Sequence, residues 1–197
     1  MAAVPSKTIA AGELLTHVSR VAFSGKPLYY GTGPGNRYND PRAMFGVLYL
    51  GFDLPTALME SVFHNHAWGH AGSRTIAEAE IRQRLVLAVG VLDDLVLADL
   101  TAQKVMASVY GLNLEQFAGR GYSDTQRISA EIHAEADSLG NPAFDGICYP
   151  SRNNYPAGCI ALFERADAKI EKLKEVDLDR HIDWPIFVSQ YRIVVTP

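Results

Sequence analysis

Cysteine is scarce in this 197-residue chain: Cys148 and Cys159 are its two, and no CxxC pair occurs. A disulfide-stapled scaffold and a thiolate metal knuckle are thereby excluded, and the pair reads as two reduced thiols on neighbouring strands. Excess charge is also small, since Lys+Arg 18 against Asp+Glu 22 gives a net charge of −4. A nucleic-acid-binding surface normally carries a basic footprint, so direct DNA or RNA binding is disfavoured. Long apolar runs are missing: the best, Leu85–Leu92, is strand-sized, against the ~18–20 residues of a membrane span. The opening MAAVPSKTIAAGELL has no charged n-region followed by an apolar h-region, so a cytoplasmic location is expected. Neither GxxxxGK[ST] nor GxSxG is present, which removes the P-loop and the simplest serine hydrolase.

What is present is an ordinary globular mixture, 48% hydrophobic and 20% charged. The length suits one domain burying roughly 70% of its unfolded surface. Residues 1–16 read as a loose arm or first helix, and His17–Phe23 as a strand carrying Arg20. A loop from Ser24 to Met44 follows, with Gly25, Gly31, Gly33 and Gly35 and Pro27, Pro34 and Pro41. A loop so long and so punctuated is either mobile or a binding loop. Phe45–Phe52 reads as a strand, and Asp53-Leu54-Pro55 carries helix-start signals for a helix whose stripe runs through Leu58, Val62 and His66. Further on, Arg84–Leu92 reads as a buried strand, Val96–Leu100 as a short one, and Thr101 as the cap of a helix reaching about Phe117. Asp124 caps another helix, with Ile128, Ile132 and Leu139 on one face and Gly140 as its stop. Gly146–Pro150 and Gly158–Arg165 are two strands joined by the polar SRNNYPA, and the tail holds a charged segment and the strand-like FVSQYRIVV. Strands and helices mix without βαβ alternation, so the fold class is α+β: a mixed β-sheet core with flanking helices.

The glycine loop GTGPGNR superficially matches a dinucleotide fingerprint, but Pro34 lacks an N–H and NRYNDP follows where a helix should. His64, His66 and His70 cluster in HNHAWGH, with 66 and 70 at i,i+4 spacing. Gly69 interrupts any helix between them and no third ligand is evident, so a solvated helix end is the plainer interpretation and no metal is expected. Arg20, Arg37, Tyr49, Glu60 and Ser151 form a more suggestive set. Singly each has a plain explanation: solvated arginines, a half-buried strand aromatic, an exposed helix carboxylate off the Leu58/Val62 stripe, and a loop-opening serine.

Their order and context carry more. The string NRYNDPRAMFGVLYLGFDLPTALMES, followed downstream by VLADLT, DTQRISAEIH and FDGICYPSRNNYPAGCIALF, resembles the RES domain family, named for Arg, Glu and Ser. The matching positions are Arg37 (or Arg20), Glu60 and Ser151. The resemblance spans about residues 17–165, leaving 1–16 as an N-terminal arm and 166–197 as an extension packed on the same domain. Tyr38 stands where phenylalanine is common, and HNHAWGHAGSRTIAEAE is a longer insertion; both are departures.

This resemblance implies a toxin of a bacterial toxin–antitoxin pair that degrades NAD⁺, on a fold similar to bacterial ADP-ribosyltransferases. It further implies an Xre-type antitoxin partner that covers the active site. NAD⁺ is then substrate, and no cofactor is expected; the sequence leaves a homo-oligomer open. Carried over residue by residue, Glu60, Arg37 and Ser151 are catalytic, while Arg20, Arg37, Tyr49 and Ser151 bind the dinucleotide. Such chemistry suits these residue types: guanidinium groups grip pyrophosphate, an aromatic ring stacks on cationic nicotinamide, and a carboxylate stabilises the oxocarbenium-like ribose. Ser151 is expected to orient the ribose or nicotinamide by hydrogen bonding rather than act as nucleophile, because no histidine base is evident in the sequence around it. Two rivals stand beside glycosidic cleavage: an ADP-ribosyltransferase acting on a protein, and an inactive interaction module.

Overall fold

Leu85, Leu87, Val89 and Val91 point to one face of their strand and Val86 to the other, and all five are buried. A strand apolar on both faces must be covered on both, and the architecture follows from that need. The computed structural model describes residues 4–64, 66, 72–102, 104–113, 115, 116, 119 and 121–197. In chain order the strands are β1 (Ser6–Ile9), β2 (Leu14–Arg20), β3 (Val47–Gly51), β4 (Arg74–Ala77), β5 (Arg84–Val91), β6 (Leu95–Asp99), β7 (Gly146–Pro150), β8 (Gly158–Phe163), β9 (Ile170–Asp177) and β10 (Ile193–Thr196). Among the described residues the α-helices with defined bounds are α1 (Leu54–Glu60), α2 (Glu78–Ile81), α3 (Val105–Ser108), α4 (Ser123–Ala134) and α5 (Trp184–Gln190).

Among the described residues an eight-stranded sheet runs in the order β1-β6-β7-β8-β3-β2-β5-β9, and β10 pairs with β4 in a separate parallel ribbon. The β6–β7 pairing is parallel and the other sheet pairings are antiparallel. The sheet is therefore mixed and the chain is α+β, as expected. It curls around an inner cluster that includes Leu15, Leu48, Leu87, Leu97, Cys148 and Ile160. Ile128 and Ile132 of α4 cover Ile147, Cys159 and Ala161 on one outer surface. Leu58 of α1 and Trp184 and Phe187 of α5 cover Val18 and Val86 on another. Cys148 and Cys159 lie on adjacent strands but in clusters on opposite faces, and both are free thiols.

Several elements depart from the sequence expectation. The N-terminal stretch contains β1, which pairs with β6, in place of an arm or helix. The helix begun at Asp53 stops at Glu60: Asp53 accepts the Thr56 amide at 2.7 Å, but the Phe63 amide turns back to the Leu58 carbonyl, and Val62 and Phe63 reach the core from that turn. The expected helix from Thr101 is interrupted: the single turn α3 sits between left-handed Lys104 (φ 69°) and Gly111 (φ 66°), and residues 115 and 116 are helical again beyond it. Likewise α4 ends at Ala134. Asp137 captures the amides of Leu139 and Asn141, an alternative to helix that short acidic side chains offer, and leaves Leu139 83% exposed. The charged tail segment is β9, an edge strand rich in Glu and Lys, charges that protect an edge from pairing with another chain. FVSQYRIVV divides into the end of α5 and β10, because Trp184-Pro185 starts a helix ahead of it.

Gly51 fixes how α1 sits on the sheet. A Cβ there would lie 2.7 Å from the Ala57 amide nitrogen and 3.0 Å from the Asp53 carbonyl oxygen. Both obstacles are backbone, so neither can step aside. Gly51→Ala should lower the urea midpoint with unchanged slope, by an amount equivalent to about 1–3 kcal/mol; an unaltered midpoint would show that α1 is not held this closely.

Candidate active site

β2 and β3 are neighbours in the sheet yet share one register pair, Thr16↔Gly51. Beyond it the strands part, with β2 continuing on β5 as far as Arg20↔Arg84 and β3 continuing on β8. At the split the His17 imidazole replaces the missing ladder: its Nδ1–H donates to the Tyr49 carbonyl at 2.8 Å. Burial lowers the His17 pKa, opposed by the carbonyls of Tyr49 and Pro27, and the ring is neutral. Against this gap lies a cavity of about 580 Å³, whose walls include Arg20, Arg37, Tyr49, Glu60, Arg84 and Tyr149. Its volume falls in the range of small-molecule and cofactor sites.

Glu60 ends α1, and the turn after β7 is built around it. Ser151 Oγ donates to Glu60 Oε1 at 2.8 Å, and the Arg152 and Asn153 amides donate to the same oxygen at 2.9 and 3.2 Å. Three donors therefore fall on Oε1, and none of the described residues donates to Oε2. The turn is itself stapled to α1 through Asn153 Nδ2 on the Met59 carbonyl and Asn154 Nδ2 on Thr56 Oγ1. Tyr191, just past α5, adds its hydroxyl to Asn154 Oδ1 at 2.7 Å. Ser151 is 1% exposed and does not line the cavity. Its hydroxyl also accepts the Asn154 amide at 2.8 Å, so it braces Glu60 from behind.

The glycine-rich loop that carries Arg37 is fastened along its length. Gln126 Nε2 of α4 donates to the carbonyls of Pro34 and Asn36, and Ser129 Oγ donates to that of Tyr38. Tyr49 Oη accepts the Tyr38 amide at 2.9 Å and donates to Asn39 Oδ1 at 3.0 Å. Burial pushes the Tyr49 phenol up, so it remains protonated and keeps both roles. The Arg37 guanidinium lies 5.8 Å from the centre of the Tyr149 ring, within cation–π range. Burial works against its charge, but the Tyr38 and Tyr149 phenols and the Glu60 carboxylate outweigh that and hold its pKa above the ordinary arginine value.

Arg20, Arg37, Tyr49 and Glu60 thus share one cavity, with Ser151 behind Glu60. His64 and His66 also reach the wall, whereas His70 lies outside the described residues. Among the described residues no group of three His, Cys, Asp or Glu could hold a metal ion. Sequence reasoning missed His17, Arg84, Tyr149 and Arg152. Arg84 was readable as the one charge opening an apolar strand, but its place opposite Arg20 depends on strand register. Arg152 was hidden in a polar loop, and its side chain bonds the Gly119 and His64 carbonyls.

A family model described as the RES domain matches residues 14–186. That extends beyond both ends of the 17–165 stretch carrying the sequence resemblance, taking in the start of β2, β9 and the first turn of α5. A search of curated proteins finds no match. No described helix is long and apolar enough to cross a membrane.

The split at His17 predicts a pH dependence. The folded protein holds the His17 proton more weakly than the unfolded chain, whose reference value is 6.5. Its contribution to stability is therefore complete above that value and declines as pH falls through the window below it. His17→Asn, which keeps a donor for the Tyr49 carbonyl, should flatten the fall in denaturation midpoint as pH drops below about 6.5. His133, lowered by burial and by Arg165, adds a slope of the same sign that the variant leaves in place. An unchanged slope in the variant would remove His17 from the account.

Proposed function

Because the chain belongs to the RES domain family, whose members are associated with toxin–antitoxin systems, we propose that it cleaves the nicotinamide–ribose bond of NAD⁺ in this cavity. Under this proposal it is the toxin of such a pair, on a fold like that of the bacterial ADP-ribosyltransferases. An Xre-type antitoxin holds it inactive by covering the cavity. The observation that carries the proposal is the Glu60 carboxylate in the cavity wall, with three donors on Oε1 and, among the described residues, no donor on Oε2.

Cleavage breaks the C1′–N bond with both electrons leaving on nitrogen, so nicotinamide departs neutral and no strong general acid is needed. The ribose carbon takes on oxocarbenium character. Glu60 Oε2 meets that charge or grips a ribose hydroxyl, with its position fixed in advance by the three donors on Oε1. An oxygen nucleophile, water or phosphate, adds to C1′ and yields its proton to solvent or to Glu60. Arg37, beside Tyr149 and Glu60 in the cavity wall, contributes fixed positive charge at the scissile end of the bound dinucleotide. The half-buried Tyr49 ring in the cavity wall offers an aromatic face to the flat cationic nicotinamide. Ser151 acts through Glu60, not on the substrate.

Purified protein should release nicotinamide from NAD⁺, and Glu60→Gln should slow release about 100-fold or more. Ser151→Ala should lower kcat with KM little changed, since it loosens Glu60 without touching substrate. It should also destabilise the fold by about 1–3 kcal/mol through the orphaned Asn154 amide. Unchanged turnover in Glu60→Gln would refute the mechanism. Label from NAD⁺ appearing on a protein acceptor in place of free ADP-ribose would reassign the reaction as transfer.

A further inference from the structure

Arg20 and Arg84 are direct cross-strand partners on β2 and β5, so their side chains leave the same face of the sheet. Two like charges placed opposite each other are unfavourable unless something anionic answers them. Both line the cavity. They stand where β2 has already left β3: Arg20 is four residues beyond Thr16, about 13 Å along the strand. Arg20 is exposed, whereas Arg84 is 9% exposed. Among the described residues the Arg84 side chain makes one hydrogen bond, from Nη2 to Glu80 Oε1 at 2.5 Å, and its buried Nε donates to nothing. Glu80 belongs to the one-turn helix α2, also lines the cavity, and its side chain is 38% exposed. A buried guanidinium with a vacant donor, a second guanidinium beside it and one partly solvated counter-ion make an anion site whose carboxylate can be displaced.

We propose that Arg84, together with Arg20, forms the subsite that takes the diphosphate of a nucleotide substrate, and that Glu80 occupies Arg84 until the diphosphate replaces it. The planar guanidinium presents donors in a fork that suits paired phosphate oxygens, which a lysine at the same position could not reproduce. The proposal rests on the NAD⁺-cleaving function for the identity of the substrate, but the anion site stands on the arginine pair alone. It also divides the work between the arginines: Arg37, stacked on Tyr149 and coupled to Glu60, serves the scissile end, while Arg20 and Arg84 select for the diphosphate.

The test compares ligands with and without phosphate. Binding of ADP and of adenosine is measured by calorimetry on the full chain, wild type against Arg84→Gln, Arg84→Lys and Glu80→Gln. Arg84→Gln should weaken ADP about tenfold or more and leave adenosine unchanged, and Arg84→Lys should recover only part of the loss. Glu80→Gln should bind ADP at least as tightly as wild type, because Arg84 no longer has to give up a carboxylate. In turnover, Arg84→Gln should lower kcat/KM for NAD⁺ and spare that for nicotinamide riboside, which has the same scissile bond and no phosphate. Equal losses for ADP and adenosine, no loss for either, or a Glu80→Gln variant as weak for ADP as Arg84→Gln would each overturn the subsite. Binding of inorganic phosphate through Arg84 that accelerates nicotinamide release would instead make it a co-substrate site and overturn the diphosphate assignment. Arg84-dependent ADP binding in a wild-type protein that releases no nicotinamide would refute NAD⁺ cleavage and leave the subsite standing.

Discussion

Where two neighbouring strands of a β-sheet stop hydrogen-bonding, a gap opens and each backbone group it frees must find another partner. In this chain the opening lies between β2 and β3, which share a single register pair. Much else follows from satisfying the groups exposed there. His17 takes the Tyr49 carbonyl, and the Gly31 and Val47 backbones bond each other across the start of β3. The Tyr49 side chain is then free to fasten the loop that carries Arg37. α1, held tightly on β3 through Gly51, delivers Glu60 to the same opening.

The two ends of the charge pattern are built differently. Glu60 is braced by main-chain amides and a buried hydroxyl, which cannot reorganise without unfolding the turn. Arg84 is held by the partly solvated carboxylate of Glu80, which solvent and a ligand can reach. Fixed donors suit a group that must meet developing charge, where reorganisation would add to the barrier. An exchangeable counter-ion suits a group that must accept a ligand and later release its product.

Much of the central sheet was legible in the sequence, because β3, β5, β7 and β8 are apolar runs bounded by clear turn or cap signals. The start of α1 was legible for the same reason, in Asp53 and Pro55. Its end was not, since Val62 and Phe63 satisfy a helical stripe equally well from a turn. β9 was missed because a segment rich in Glu and Lys resembles a solvated one until an edge strand is needed beside β5. α3 and α4 came out shorter than expected through local competitors, a left-handed pair of residues in one case and the Asp137 turn in the other. At the site, Arg37, Tyr49 and Glu60 lie close to strong local signals. Arg84 and Arg152 do not: one depends on register across β2 and β5, the other on a loop conformation set by Glu60 itself.

The bond from Tyr191 to Asn154 has a bearing on how the molecule opens. Proteins unfold locally in cooperative units, and a terminal segment is ordinarily the first to exchange its amides with solvent. Here the C-terminal helix packs through Trp184 and Phe187 onto the surface that α1 shares, and Tyr191 is latched to the turn that holds the Glu60 carboxylate. β10 then completes the ribbon with β4. Fraying of the last residues is thus coupled energetically to loosening of the carboxylate's cradle. A ligand that rigidifies the cradle would deepen hydrogen-exchange protection in the tail, more than 30 residues away along the chain, without touching it.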